Sequence, residues 1–185
     1  IAPVFGGINL EDIAAPKCFE IEARLKTELN IPVMHDDQHG TAVVVLAALI
    51  NALRLRGTST TEATVVINGA GAAGTAIAEL LLLYGFIHIT ILDSRGVISK
   101  NRTDLNPEKL ALLEKISSSL SLREDGFASP KQSHAIGVKI ATSETPRNDN
   151  AVTLADAVKN ADVFIGVSKA GLLTQAMVRT MGERP

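Results

Sequence analysis

The stretch Val65–Asp93, VVINGAGAAGTAIAELLLLYGFIHITILD, limits what this chain can fold into more than any other. A β-branched run, Val65, Val66 and Ile67, leads into Gly69, Gly71 and Gly74, which keep the G-x-G-x-x-G spacing. Ala76 to Leu83 are good helix formers apart from Ile77, and Gly85 stands where a helix would stop. Ile87, Ile89, Ile91 and Leu92 then read as a second strand, closed by Asp93 nineteen residues past Gly74. Strand, glycine turn, helix, strand and acid at that separation describe a dinucleotide site. Gly69 is expected to make the tight turn, Gly71 to admit a pyrophosphate against bare backbone, and Gly74 to let the helix pack closely. Together with Ala70, Ala72 and Ala73 they form the expected phosphate cradle, where the unpaired N–H groups and positive dipole end of the helix favour an anion. Asp93 is expected to accept hydrogen bonds from ribose hydroxyls and to repel a 2′-phosphate, a slight lean to NAD. Ser94 and Arg95 pull towards NADP, because a hydroxyl and a guanidinium there offer that phosphate a bidentate fork.

The rest of the chain sets the frame for that unit. Its 185 residues, 46% of them hydrophobic, suffice for a packed α/β core. A net charge of −2 and 3% aromatic residues leave neither a basic excess nor a stacking platform for nucleic acid. The one cysteine, Cys18, has no internal disulfide partner and reads as a buried structural thiol in a reducing compartment, the cytoplasm by default. No leader is visible at the start. The apolar run Thr41–Leu55, bounded by Arg54 and Arg56, reads as a buried helix too short for a bilayer, so no membrane contact is expected. The chain opens without a methionine and stops at Arg184-Pro185 just after a helix, which reads as an excerpt of a longer protein.

In chain order, Ile1–Phe5 is expected as a strand, followed by a turn at Gly6-Gly7 and two adjacent acids, Glu11 and Asp12. Alone, such a pair reads as an exposed helix N-terminus. Pro16–Leu29 is amphipathic and helical, and Ile31–Met34 is a strand running into His35-Asp36-Asp37-Gln38-His39-Gly40. Acids in a strand-to-helix connection lie where open α/β folds place clefts, and four carboxylates suit Mg²⁺ or Mn²⁺. An N-cap role for Asp37 is the simpler alternative, and zinc fits less well because no tetrahedral cysteine and histidine set is completed. The polar connector 57–61 sets a boundary near 56, dividing a metal-bearing part, 1–56, from a coenzyme part, 57–185. Pro107 suits the first turn of a helix at Glu108–Ile116. Residues 117–150 read as a surface insertion with one possible strand or helix at Ala135–Ala141, and its Lys131 and His134 as solvated. Thr153 caps a helix, 162–168 is a buried strand whose Val167 and Ser168 lead into a loop at Lys169-Ala170-Gly171 facing the coenzyme, and Thr174 caps Gln175–Met181. The fold class is α/β, a Rossmann-like doubly wound parallel sheet preceded by part of a second α/β unit.

FGGINLEDI, IPVMHDDQHGTA, VVINGAGAAGTAIAELL and ADVFIGVSKAGLLTQAMV, in this order, resemble malic enzymes of the bacterial type over nearly the whole chain. The resemblance implies oxidative decarboxylation of L-malate to pyruvate and CO₂, with NAD(P)⁺ as hydride acceptor, Mg²⁺ or Mn²⁺ as cofactor, and a homo-oligomer of two or more subunits. It implies Glu11, Asp12 and Asp37 as metal ligands, with Asp36 beside them as an acid that orients a ligand or handles a proton. The lysine base and tyrosine acid of the family belong to motifs upstream of Ile1. Tyr84, the only tyrosine, lies in the nucleotide-domain helix, and the family's Asn-Pro motif after the last strand is not found. Two other classes fit the glycine fingerprint: a metal-independent dehydrogenase such as an amino-acid dehydrogenase, and a non-catalytic NAD(P)-sensing module.

Overall fold

The computed structural model describes residues 2–124 and 152–183. Strands β1 (Ile8–Leu10) and β2 (Val33–His35) pair in parallel, Ile8 opposite Val33 and Leu10 opposite His35. A parallel pair needs a crossover, and α1 (Lys17–Glu28) supplies it. Parallel strands end on the same side, so Glu11 and Asp12, just after β1, emerge beside Asp36 and Asp37, just after β2. The strand expected at Ile1–Phe5 is not formed, since Ala2–Val4 is a 3₁₀ turn. Pro3 has no N–H to give a ladder, whereas the Ile8 N–H reaches the Pro32 carbonyl at 2.8 Å.

Helix α2 (Asp36–Arg56) begins five residues before the expected Thr41, and the polar block forms its first turn. Asp36 and Asp37 there complement the helix dipole. His35 holds the N-cap position and no side chain caps the helix, so the capping role considered for Asp37 is not found. Gly57, at φ 72°, closes α2 in the left-handed region. At 21 residues α2 is, by length and composition alone, long and apolar enough to cross a membrane. The sequence suggested a shorter, buried helix. Here α2 lies along α3 (Ala72–Tyr84) and buries Ala42, Leu49 and Leu53, while Val43, Val44 and Leu55 are exposed.

The second sheet has the order β5 (Gly96–Val97), β4 (His88–Asp93), β3 (Thr64–Asn68), β6 (Val163–Gly166). β3 pairs in parallel with β4 and β6, and β5 returns antiparallel on β4. Being central, β3 buries both faces: Val65 and Ile67 enter one core with Ile77 and Leu81 of α3 and Leu112, Leu113 and Ile116 of α4 (Pro107–Glu124), while Val66 faces Leu92, Val158 and Ala161 on the other. That alternation is the period-two geometry of a strand covered on both sides. The fingerprint strand has the next strand on one side and β6 on the other, the Rossmann-like arrangement, whose crevice opens where the winding reverses. α4 continues to Glu124, past the expected stop at Ile116; the strand or helix suggested at 135–141, Lys131 and His134 lie outside the described residues. Thr153 and Asp156 form a reciprocal capping box on α5 (Leu154–Ala157), and Thr174 caps α6 (Gln175–Val178), which ends before the expected Met181.

Candidate functional site

The three fingerprint glycines do three different things. Gly69 leaves β3 at φ 129°, and a Cβ there would stand 2.8 Å from the Val167 carbonyl oxygen of the strand-β6 exit. A Cβ on Gly74 would strike the Gly69 carbonyl, so only glycine lets α3 close onto the turn. Gly71 is the N-cap of α3, is exposed, and a Cβ there would meet nothing within 4 Å, which leaves the space a pyrophosphate needs. No side chain caps α3, so Ala72 and Ala73 open the helix with backbone alone facing that space. Val167 and Ser168 abut Gly69, which brings the ends of β3 and β6 together.

Beside this turn a cavity of about 460 Å³ is lined by Asn68, Asp93, Arg95, Thr153, Ser168 and Lys169, with Ser94 also on its wall. The loop after β6 therefore shares one cleft with the end of β4. Asp93, expected to meet the ribose hydroxyls, does not present a free carboxylate here. Arg102 grips it through two nitrogens at 2.8 and 3.1 Å, Lys109 Nζ donates at 2.6 Å, and the Arg95 backbone N–H donates at 2.9 Å. Burial alone would raise the Asp93 carboxyl, but the bonds from Arg102, Lys109 and Arg95 outweigh it and hold the group at about 2. The Arg95 guanidinium, 70% exposed, reaches Asp104 at 2.7 Å, and Arg102 bonds the same acid. Arg102, Lys109 and Asp104 escaped the sequence reading. The only signal was four cations, Arg95, Lys100, Arg102 and Lys109, within sixteen residues after the acid, and spacing does not say which of them folds back.

At the other sheet, the Asp12 N–H donates to Asp37 Oδ2 at 2.9 Å, joining the two acidic motifs across 25 residues. Asp12 sits at φ 58°, the left-handed region that few non-glycine residues occupy. Glu11 Oε1 accepts from Asn9 Nδ2 at 2.9 Å, and the Asp36 carboxylate folds over the bare Cα of Gly40. Asp12 and Asp37 are thus brought together, with Glu11 and Asp36 adjacent in sequence, yet among the described residues no three acidic, histidine or cysteine side chains converge on one point. Behind them lies a buried polar group that the sequence reading did not single out as a network: His35, Gln38 and Glu22. Burial pushes the Glu22 carboxyl up, but bonds from Lys26 at 2.8 Å and His39 at 2.8 Å hold it below the ordinary value. Cys18 is fully buried and its thiol is pushed up by burial, as expected of a structural cysteine.

Residues 38–185 match the family model described as malic enzyme, NAD binding domain. The chain belongs to the malic enzyme family. It is 46% identical over its whole length to the bifunctional malic/malolactic enzyme of Bacillus subtilis, covering 38% of that protein, and 43% identical to the NAD-dependent malic enzyme of Geobacillus stearothermophilus, covering 33%. The NADP-dependent malic enzyme of Rhizobium meliloti is 45% identical, with 20% covered. The crystal structure of an NAD-dependent malic enzyme from Thermotoga maritima superposes over the whole chain with a TM-score of 0.76 at 39% identity, covering 42% of that structure. The chain thus spans well under half the length of these malic enzymes, and among them both coenzymes are represented.

Proposed function

We propose that the complete protein oxidatively decarboxylates L-malate to pyruvate and CO₂ with reduction of NAD(P)⁺. The observation that carries this reading is the Asp12 N–H to Asp37 Oδ2 bond, which joins the EDI and HDDQHG motifs in a chain that also holds a coenzyme fingerprint. Hydride leaves C2 of malate for the nicotinamide while its hydroxyl proton goes to a base. The C3–C4 bond then breaks, CO₂ departs, and the electron pair enters an enolate that is protonated at C3. Glu11, Asp12 and Asp37 are the residues we assign to hold Mg²⁺ or Mn²⁺. The donor set fits, being oxygen only, and the exposed side chains of Glu11 and Asp12 are free to turn towards an ion. When bound there, the cation supplies positive charge against the developing enolate. Asp36, beside them, is assigned to orient a ligand or handle a proton. Gly71 with the α3 N-terminus is assigned to the pyrophosphate, and the loop Val167–Lys169 to the nicotinamide-side wall. The base and acid are assigned to the family's lysine and tyrosine motifs, since Tyr84 lies at the far end of α3.

We place the division between the metal-bearing and coenzyme parts at Arg56–Gly57, and on the lone buried Cys18 we assign the protein to a reducing compartment, the cytoplasm. For the coenzyme, the clamp on Asp93 alters the expectation. With Arg102 and Lys109 neutralising it, the acid repels a 2′-phosphate far less, and the lean to NAD gives way to use of both coenzymes, with Arg95 as the phosphate contact. Arg95→Ala should then lower kcat/KM for NADP about tenfold, the worth of one charge-assisted bond, and leave the NAD value within about twofold. Equal losses for both coenzymes would remove Arg95 from that role. The function itself is tested by product stoichiometry in the complete protein: pyruvate and reduced coenzyme should form one for one and stop on chelation. Turnover that survives chelation would favour a metal-independent dehydrogenase, and coenzyme binding without turnover would favour a sensing module.

A further inference from the structure

His35 ends β2 with its ring fully buried, and its Nε2 is the one buried side-chain nitrogen or oxygen among the described residues with no hydrogen bond. An unmade bond of this kind is costly and calls for a reason. The surrounding network says which nitrogen carries the proton. Glu22, buried and kept ionised by Lys26 and His39, can only accept. Gln38 must therefore turn its amide nitrogen towards it, and that nitrogen lies 3.2 Å from Glu22 Oε2 and 2.7 Å from His35 Nδ1. An amide nitrogen has only donors, so His35 Nδ1 accepts and the ring proton sits on Nε2. This Nε2–H is 3.3 Å from Asp37 Oδ2, within reach but out of line for a hydrogen bond.

We infer that His35 is a positioning residue for Asp37: its Nε2–H, set by the Gln38–Glu22 relay, is held ready to bond Asp37 Oδ2 and fix that carboxylate in the orientation that binds the divalent cation. The inference rests on the assignment of Asp37 as a metal ligand. A carboxylate oxygen can accept twice, so Oδ2 takes both the Asp12 N–H and the His35 N–H. Oδ1, which accepts no described hydrogen bond, is left for the ion. The arrangement inverts the familiar carboxylate that steers a ligating histidine, with the same consequence: losing the outer partner typically weakens metal affinity about 10- to 100-fold.

Two variants of the complete protein separate positioning from packing. In His35→Asn, the amide oxygen can replace Nδ1 and satisfy Gln38, but nothing replaces the Nε2 donor. In His35→Gln, the amide nitrogen reaches the Nε2 position and restores a donor to Asp37, at the expense of the bond from Gln38. Binding of Mn²⁺ alone, read from the electron paramagnetic resonance signal of free Mn²⁺, should weaken about 10- to 100-fold in His35→Asn and recover at least partly in His35→Gln, while NAD(P) binding by fluorescence stays unchanged in both. A purely structural role gives the opposite order, with His35→Asn the milder change, and would overturn the inference. Asp37→Asn is the control for the underlying assignment. If it binds Mn²⁺ like the wild type, the metal site itself is wrong; if it loses Mn²⁺ while His35→Asn does not, only the positioning role is wrong. Should His35→Asn not fold, the wild type still decides through ¹⁵N-histidine NMR. A protonated Nε2 with a bare Nδ1, whose Nε2–H signal shifts on adding Mg²⁺, supports the inference, and a protonated Nδ1 or an Nε2–H indifferent to Mg²⁺ contradicts it.

Discussion

Asp93 receives four donor nitrogens, and their removal has a definite pH signature. Its folded value of about 2 lies below the ordinary 3.8, so the carboxylate stabilises the fold fully above pH 4, and that contribution fades as the pH falls from about 4 to 2. The shift corresponds to roughly 2 kcal/mol. Arg102→Ala removes two of those four donors and leaves Lys109 and the Arg95 N–H, so it should lose roughly half of this stability at pH 6 and show a shallower fall in urea midpoint between pH 6 and pH 3 than the wild type. Parallel curves for the two proteins would mean that Arg102 does not govern Asp93. The glycines allow a cleaner separation of fold from site. Gly71→Ala meets nothing and should keep its melting temperature within about 2 °C while losing most coenzyme affinity, because the new methyl occupies the pyrophosphate space. Gly74→Ala runs into the Gly69 carbonyl and should lose both. Thermal unfolding and NAD(P) titration of the two variants distinguish them, and full coenzyme affinity in Gly71→Ala would remove the cradle assignment. The tight turn at Gly69 and the close helix packing at Gly74 were legible in the sequence because they depend on backbone spacing over six residues. The Asp93 clamp was not, because it depends on side chains of a later loop and helix that return to the strand end.

Among the elements, the strongest local signals survived best. The run Val65–Ile67, the helix stopped by Gly85 and the capped starts at Thr153 and Thr174 carry their own boundaries. β1 was missed because three residues, Ile8 to Leu10, form a strand only through pairing with β2, which no local pattern shows. The start of α2 was missed because its first turn is polar: acids suited to the dipole and a glutamine buried by tertiary contacts look like a loop in the sequence. Where α2 ends, Arg56 reaches Asp162 Oδ1 at 2.6 Å, and the other oxygen of Asp162 accepts the Thr64 N–H at 2.8 Å. One carboxylate thereby ties α2, β3 and the start of β6. Asp162→Ala strands a backbone donor and a guanidinium that are both partly buried, and should cost about 2–3 kcal/mol by urea unfolding. A change below about 0.5 kcal/mol would show that α2 is held to the sheet by its apolar contacts with α3 alone.

At the scale of the molecule, two parallel-strand units are joined by α2, the acidic motifs lying at its N-terminus and the coenzyme sheet being packed along it through α3. The fold class and family were readable because four motifs occur in a fixed order. The arrangement of the four acids was not, because it arises from the parallel pairing of two three-residue strands. Those acids are assigned to a malate-oxidising metal site. The most direct test of that assignment is malate-dependent reduction of NAD(P)⁺ by the complete protein as Mn²⁺ is raised, in the wild type and in Asp37→Asn. The wild type should saturate with Mn²⁺, and Asp37→Asn should need about 100-fold more or fail to saturate, since losing a ligand does at least the damage of losing its support, with NAD(P) binding intact. The same Mn²⁺ dependence in both proteins would contradict the assignment of these acids to the metal.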